Sequence, residues 1–265
     1  MSKHKNSHRH TVAIGVDIGG TGIKGGIVDL ESGTLLGDRF RIDTPQPSTP
    51  EAVAEVVARI VAELDSRPEA PGSGSPVGVC FPAIIHHGVA RSAANIDKSW
   101  IDTDVDGLLR SALDRPVHVM NDADAAGLSE VRYGAGRDVA GSVLVITLGT
   151  GIGSALIHDG VLVPNVELGH LELDGAGAET RASAAARERE DLSWPDYAAR
   201  LQRFFSHVEF LFSPNLFIIG GGISKRSDDY LPLLEINTPI QVAALKNNAG
   251  IVGSALQSAI AEKLA

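Results

Sequence analysis

The chain carries the same short device twice: two apolar runs joined by a tight glycine-rich turn. The first copy is Val16-Asp17-Ile18-Gly19-Gly20-Thr21-Gly22-Ile23-Lys24-Gly25-Gly26. The second runs from Val143 to Leu148 through Gly149-Thr150-Gly151-Ile152-Gly153 and back along Ser154 to His158. Apolar runs separated by so few residues read as β-hairpins. Two such hairpins, each followed by strands and helices, imply two similar α/β domains facing one cleft. For the glycines alone a tight turn is explanation enough. The first turn, however, also holds Asp17, Thr21 and Lys24, which suits phosphate: glycines that take positive φ present N–H groups to an anion, the hydroxyl donates, and the ammonium supplies charge. Asp17 could orient a magnesium ion through water.

The intervening segments support an α/β chain. Residues 12 to 18, 23 to 29 and 34 to 42 read as three consecutive strands. Val53, Val56, Val57, Ile60, Val61 and Leu64 then fall at i, i+3, i+4 spacing behind Thr49-Pro50-Glu51, a helix start. Strands are expected at Val77 to Phe81, Val117 to Met120 and Leu216 to Ile219. Helices are expected near 104 to 113, 121 to 133, 180 to 190, 195 to 212 and 248 to 264. The strand ending at Met120 runs into Asn121-Asp122-Ala123-Asp124, where a carboxylate, Asp124 in preference to Asp122, is expected to cap the following helix.

Composition excludes several classes of function. The formal net charge is −10, so broad nucleic-acid binding is not expected, and a polyanion could approach only along a local basic strip. No apolar run reaches the length needed to cross a membrane. Cys80 is the single cysteine and sits in an apolar run, as a buried core thiol would, and the lack of any disulfide framework fits a reducing cytoplasm. The first eleven residues, basic and polar, read as a disordered tail without a secretory h-region.

Taken together, Asp17-Ile18-Gly19-Gly20-Thr21, Leu148-Gly149-Thr150-Gly151 and Gly220-Gly221-Gly222 resemble, in this order, the two phosphate loops and the nucleotide-side glycine turn of the ROK family of sugar kinases. The resemblance covers nearly the whole chain from Val12. It implies an α/β fold of two actin/hexokinase-like (ribonuclease H-like) domains flanking a cleft: a tail over 1–11, an N-terminal domain over 12–120 and a C-terminal domain over 121–265, whose last helix could pack back on the first domain.

The same resemblance assigns roles to residues. Asn121-Asp122-Ala123 matches the family motif whose aspartate is the catalytic base, and a base is what phosphoryl transfer to a neutral alcohol requires. Asn121 would bond sugar hydroxyls. Glu167-Leu168-Gly169-His170 matches the Glu-x-Gly-His sugar motif, and Glu179 matches the sugar-binding glutamate that follows it. Asn95 and the strand end at Gly78 to Pro82 would complete the sugar pocket. Asp17, Gly19, Gly20, Thr21, Lys24, Gly149, Thr150, Gly151, Gly221 and Gly222 would hold the phosphoryl donor with Mg2+.

Many family members also carry a zinc site built from three cysteines beside the Gly-His histidine. Here the segment reads LELDGAGA with no cysteine, so no zinc is expected and His170 is left to bind sugar. Strings such as NDADAAGLSEVRYGA, VPNVELGHLELDG and FSPNLFIIGGGISK resemble the polyphosphate-using glucose kinases of the family. That likeness implies glucose as acceptor, inorganic polyphosphate and often ATP as donors, mannose as a further acceptor for some members, and a homodimer. Lys24, Arg132, Arg137, Arg181, Arg187, Lys225 and Arg226 could supply a positive path, although each alone reads as an ordinary surface cation. An ATP-only hexokinase is the rival within enzymes. The family also contains sugar-sensing repressors, which need a DNA-binding segment where only about eleven polar residues precede the first strand here.

Overall fold

The computed structural model describes residues 12–93 and 96–264, so the expected tail lies outside the described residues. The described residues fall into two compact units, 12–129 with 247–264, and Glu130–Lys246.

In the first unit, β1 (Val12–Ile18) pairs antiparallel with β2 (Gly22–Asp29), with Asp17 opposite Lys24. The third expected strand is broken into β3 (Thr34–Leu35) and β4 (Phe40–Asp43), because Gly37 turns the chain at φ +77°. Both halves pair with β2. Helix α1 (Pro50–Asp65) starts where Thr49 Oγ1 accepts the Ala52 N–H at 3.4 Å and proline stands in the first turn. Its buried stripe of Val53, Val57, Ile60, Val61 and Leu64 joins the sheet core, each side chain contributing about 1.5–3 kcal/mol. β5 (Val77–Phe81), a small hairpin of β6 (Ile85–His86) and β7 (Val89–Ala90), α2 (Val105–Leu113) and β8 (Val117–Asn121) follow. The sheet order is β3, β2, β1, β5, β8, with the last three strands parallel.

The C-terminal helix, Ala249–Leu264, belongs to this unit. It is apolar nearly all round, as a buried helix must be: Ile251, Val252, Ala255 and Leu256 are buried, and Ser254 and Ser258 bond back to the Ile251 and Ala255 carbonyls at 3.1 and 2.8 Å. A β-carbon on Gly78 would collide with the Ser254 carbonyl, so glycine in β5 lets the helix backbone lie directly on the strand.

Helix α3 (Asp122–Tyr133) passes from one unit to the other, and the boundary drawn at 120/121 from sequence falls instead at 129/130, inside it. The reason is pairing: β8 is a strand of the first sheet, and the start of α3 packs so closely on the C-terminal helix that a β-carbon on Gly253 would strike the Ala125 carbonyl.

The second unit repeats the first. β9 (Ser142–Leu148) and β10 (Ile152–His158) form the hairpin, β11 (Val161–Val163) edges it, and β14 (Leu216–Gly220) and β15 (Ile240–Val242) run parallel to β9. The order β11, β10, β9, β14, β15 reproduces that of β3, β2, β1, β5 and β8, with no counterpart to β4. Between β11 and β14 lie the hairpin β12 (Glu172–Leu173) and β13 (Ala176–Gly177), then α4 (Ala178–Ala182), α5 (Ala184–Arg189) and α6 (Trp194–Phe212). The helix expected over 180 to 190 is split because Ser183 is extended and caps α5, its hydroxyl accepting the Ala186 N–H at 3.1 Å. Tyr197, Leu201, Phe204, Phe205 and Val208 of α6 form the core with Leu144, Ile146, Phe217 and Ile219. Glu130, 1% exposed, accepts N–H groups from Ala135, Ala244 and Leu245 at 2.9, 3.0 and 2.7 Å, which ties the entry and exit of this unit together.

Candidate active site

In the first unit the parallel strands end together, and their last residues form one cluster. Asp17 closes β1, with Lys24 Nζ 3.0 Å from its Oδ2 and Cys80 Sγ, at the facing position of β5, 3.5 Å from its Oδ1. The pair is largely shielded, with side chains 26% and 18% exposed for Lys24 and Asp17. Burial pushes the Cys80 thiol well up, and the negative charges of Asp17 and Asp122 push it further, so both carboxylates act on the same spot. The thiol is fully buried, as its apolar run suggested.

Asp122 is exposed at the first turn of α3. Asp122 Oδ1 accepts the Ala123 N–H at 2.9 Å, but Asp124, the carboxylate expected in preference there, is not the cap. Asn121 is: its Oδ1 accepts the Ala123 and Asp124 N–H groups at 2.8 and 3.0 Å, while its Nδ2 donates to the Ala83 carbonyl at 3.1 Å. Asparagine and aspartate cap equally well, and the one immediately before the helix has the extended geometry for it. Asp124 is buried inside the helix at 2% exposure. Asn95 lies outside the described residues.

The first glycine turn, Gly19 to Thr21, leaves Gly20 and Thr21 exposed and is braced by β4 and the residue after it: Thr44 Oγ1 donates to the Gly19 carbonyl and Arg41 Nη2 to that of Thr21, at 2.5 and 3.0 Å. Gly19, Gly149 and Gly151 do not take the positive φ expected of them. At Gly151 the missing side chain is what matters, whereas a β-carbon on Gly149 would meet nothing. A β-carbon on Gly151 would collide with Glu179 Oε2, the oxygen that accepts the Ile152 N–H at 3.2 Å. Gly221 does have the left-handed backbone, at φ +83°, and a β-carbon there would strike the end of β9 at Leu148.

Glu167, His170 and Glu179 meet in the second unit. Glu167 and His170 flank a short 3-10 turn, Leu168–His170, and His170 Nδ1 lies 3.7 Å from Glu179 Oε1. Burial raises the Glu167 carboxyl above the usual range; His170 pulls it down and Glu179 pushes it up. Two carboxylates and an imidazole in this arrangement accept and donate as vicinal hydroxyls require. The segment is anchored by Ser154, 2% exposed, whose Oγ donates to the Val166 carbonyl at 2.5 Å and accepts the Leu168 N–H at 2.9 Å. Ala178 N–H donates to Leu171 O at 2.8 Å, and Arg203 grips Asp174 through two bonds of 3.2 and 3.1 Å. Protein hydrogen bonds thus hold the LELDGAGA loop through Ala178 and Arg203, and the Glu167 segment before it through Ser154, which nothing in the sequence marked for that task.

On the other side of the second glycine turn is a pocket of about 420 Å³ lined by Gly149, Thr150, Gly222, Arg187, Trp194 and Arg226, among others. Trp194 stands just ahead of the helix expected from 195 and opens α6 here; nothing local in the sequence marked it for this pocket. Of the candidate cations, Lys24 is tied to Asp17, Arg137 to Asp138 and Arg226 to Asp229, at 3.0, 3.7 and 2.5 Å. Arg132 lies over the Tyr133 ring at 5.9 Å, Arg181 lines a separate pocket behind α4, and Lys225 is exposed.

The ROK family model matches residues 13–186. The polyphosphate glucokinase of Mycobacterium tuberculosis is 49% identical over 253 residues, which cover 95% of this chain and 92% of that protein. Inorganic polyphosphate/ATP-glucomannokinase from Arthrobacter sp. strain KM superposes with a TM-score of 0.91 at 69% identity, covering 95% of this chain and 99% of that one. A ROK family glucokinase from Streptomyces griseus, solved with glucose and AMPPNP, superposes with a TM-score of 0.77 at 26% identity, covering 92% of this chain and 98% of that one. The two matching α/β sheets are therefore those of an actin/hexokinase-like sugar kinase, and the chain belongs to the ROK family.

Proposed function

We propose that the protein transfers the terminal phosphoryl group of inorganic polyphosphate, and of ATP, to the 6-hydroxyl of glucose, with mannose as a second acceptor. The observation that carries this reading is the 69% identity, over nearly the full length of both chains, with an enzyme named for both donors and both sugars. The cluster of Glu167, His170 and Glu179 supports a polyol acceptor.

In this reading Asp122 accepts the proton of the attacking hydroxyl, which is a poor nucleophile while protonated. Glu167, His170 and Glu179 orient the sugar, with Asn95 as a further partner. Asn121 supports them chiefly by fixing the start of α3, through bonds that already engage both ends of its amide. Thr21, Lys24 and the glycines at 19, 20, 149, 151, 221 and 222 hold the donor. Little covalent chemistry falls to the protein, so catalysis rests on positioning and on neutralising charge over the phosphoryl oxygens.

Magnesium fits the residues present in a limited way. Among the described residues no group of three His, Cys, Asp or Glu could cage an ion. Magnesium at phosphoryl-transfer sites uses one or two carboxylates and takes its remaining ligands from phosphate and water. Asp17, near a second carboxylate at the sheet end, meets that requirement, and the ion would supply charge neutralisation on the donor. No zinc is proposed, since the loop after His170 carries no cysteine and is held by the bonds of Ala178 and Arg203. A homodimer in the cytoplasm completes the reading; among the described residues no helix is long and apolar enough to cross a membrane.

The test is a donor-by-sugar matrix on purified protein. Glucose 6-phosphate should form with nucleotide-free long-chain polyphosphate and with ATP. Product with ATP alone would replace this reading by that of an ATP-only hexokinase.

A further inference from the structure

The pocket beside the second glycine turn contains a cation that the protein leaves without an anion. Arg187, near the end of α5, lines it together with Gly149 and Thr150. Its guanidinium carbon lies 3.7 Å from the centroid of the Trp194 ring. Its Nε is buried with no hydrogen-bond partner, and no carboxylate pairs with it among the described residues. Neighbouring arginines differ in this respect: Arg189 and Arg200 share Glu190, and Arg226 holds Asp229. Glu188 lines the same pocket without pairing with Arg187.

The cation is also fixed in place. Trp194 lies nearly parallel to Tyr230, at 5.9 Å and 19°, and edge-on to the buried Tyr197 at 6.3 Å. A guanidinium stacked on an indole that is itself clamped loses little freedom on binding an anion, and its planar donors match two phosphate oxygens. The indole is already covered by Arg187, by Tyr230 and by Arg226 at 5.0 Å, the last paired with Asp229, so it offers a purine little aromatic surface, whereas the unpaired charge of Arg187 suits an anion. A nucleotide ends its run of phosphates after three and continues as sugar and base; a polyphosphate goes on presenting charge.

We propose that Arg187, stacked on Trp194, is a donor-specificity residue that binds a non-transferred phosphate of the polyphosphate chain. This rests on the donor reading above. It adds that discrimination between polyphosphate and nucleotide is carried by one guanidinium held on an aromatic platform.

The experiment compares wild type, Arg187→Gln and Arg187→Lys with glucose and either nucleotide-free polyphosphate or ATP, over a range of salt. Loss of one charge-assisted pair should raise the polyphosphate KM of Arg187→Gln about tenfold, and raise the ATP KM several times less. The slope of log KM for polyphosphate against log salt should fall by about one. Arg187→Lys, which keeps the charge but loses the planar fork, should recover part of the affinity and the full salt slope. An unchanged polyphosphate KM, or an equal rise for both donors, would overturn the proposal while leaving the donor reading intact. A wild type active with ATP and inert with polyphosphate would remove both.

Discussion

Glu179 occupies the space that a side chain at residue 151 would need, and its Oε2 accepts the Ile152 N–H at 3.2 Å from that position. The second glycine turn and the sugar-motif glutamate are therefore one packing unit. Gly151→Ala should push the carboxylate away from His170 and raise the glucose KM at least about tenfold, with donor KM changing less. Steady-state kinetics in both substrates read this split. An equal loss toward glucose and donor would mean that the turn serves the phosphate first.

Asp122 stands at the end of the first sheet with its carboxylate exposed and Asn121 fixing the backbone beneath it. Asp122→Asn keeps the shape and removes the proposed proton acceptor. Turnover should fall by about 10²–10⁴, with glucose affinity nearly retained in a binding titration. Near-native turnover would assign the base elsewhere.

Ser154 joins Val166 and Leu168 through a buried hydroxyl. In Ser154→Ala the carbonyl and the N–H both lose their partner while still enclosed, which costs about 1–3 kcal/mol. Denaturant unfolding should show that loss, and the glucose KM should rise with it because Glu167 flanks the released segment. Unaltered stability would show that the loop is held by the Arg203–Asp174 pair instead.

The pH dependence follows from Glu167. Burial raises its carboxyl pKa in the folded protein, so the native state holds the proton more tightly than the unfolded chain. Stability contributed by this group therefore falls as pH rises through the window from the ordinary glutamate value to the raised one. Glucose binding should follow the opposite course, improving across the same window as the carboxylate ionises and becomes a full acceptor. Glu167→Gln should flatten that slope in stability and that limb of the glucose KM profile. Persistence of both in the variant would place the titrating group elsewhere.

Features legible in the sequence share a physical character: they are set by residues close together along the chain. Alternating apolar runs around Gly19 to Thr21 and Gly149 to Gly151 specify hairpins, and the stripe from Val53 to Leu64 specifies an amphipathic helix, whatever surrounds them. Repetition of the hairpin was enough to imply two related halves, and the two sheets do share one strand order. Shorter elements were invisible: β15 is three residues whose pairing with β14 depends on a neighbour over twenty positions away. Asp124 was misassigned as the cap of α3 because Asn121, Asp122 and Asp124 crowd the helix start with equivalent acceptors; only the backbone geometry lets Asn121 take both first N–H groups, sharing that of Ala123 with Asp122.

The site shows the same division. Sequence by itself determined which residue types are present: the carboxylates, the lysine and the glycine turns, in an order that resembles one family. Tertiary structure decided what each is set against. It placed Cys80 beside Asp17 by strand register, filled the space over Gly151 with Glu179, and laid Arg187 on Trp194 without a counter-charge. These are contacts between separate elements, fixed by close packing around each sheet, and no local pattern encodes them.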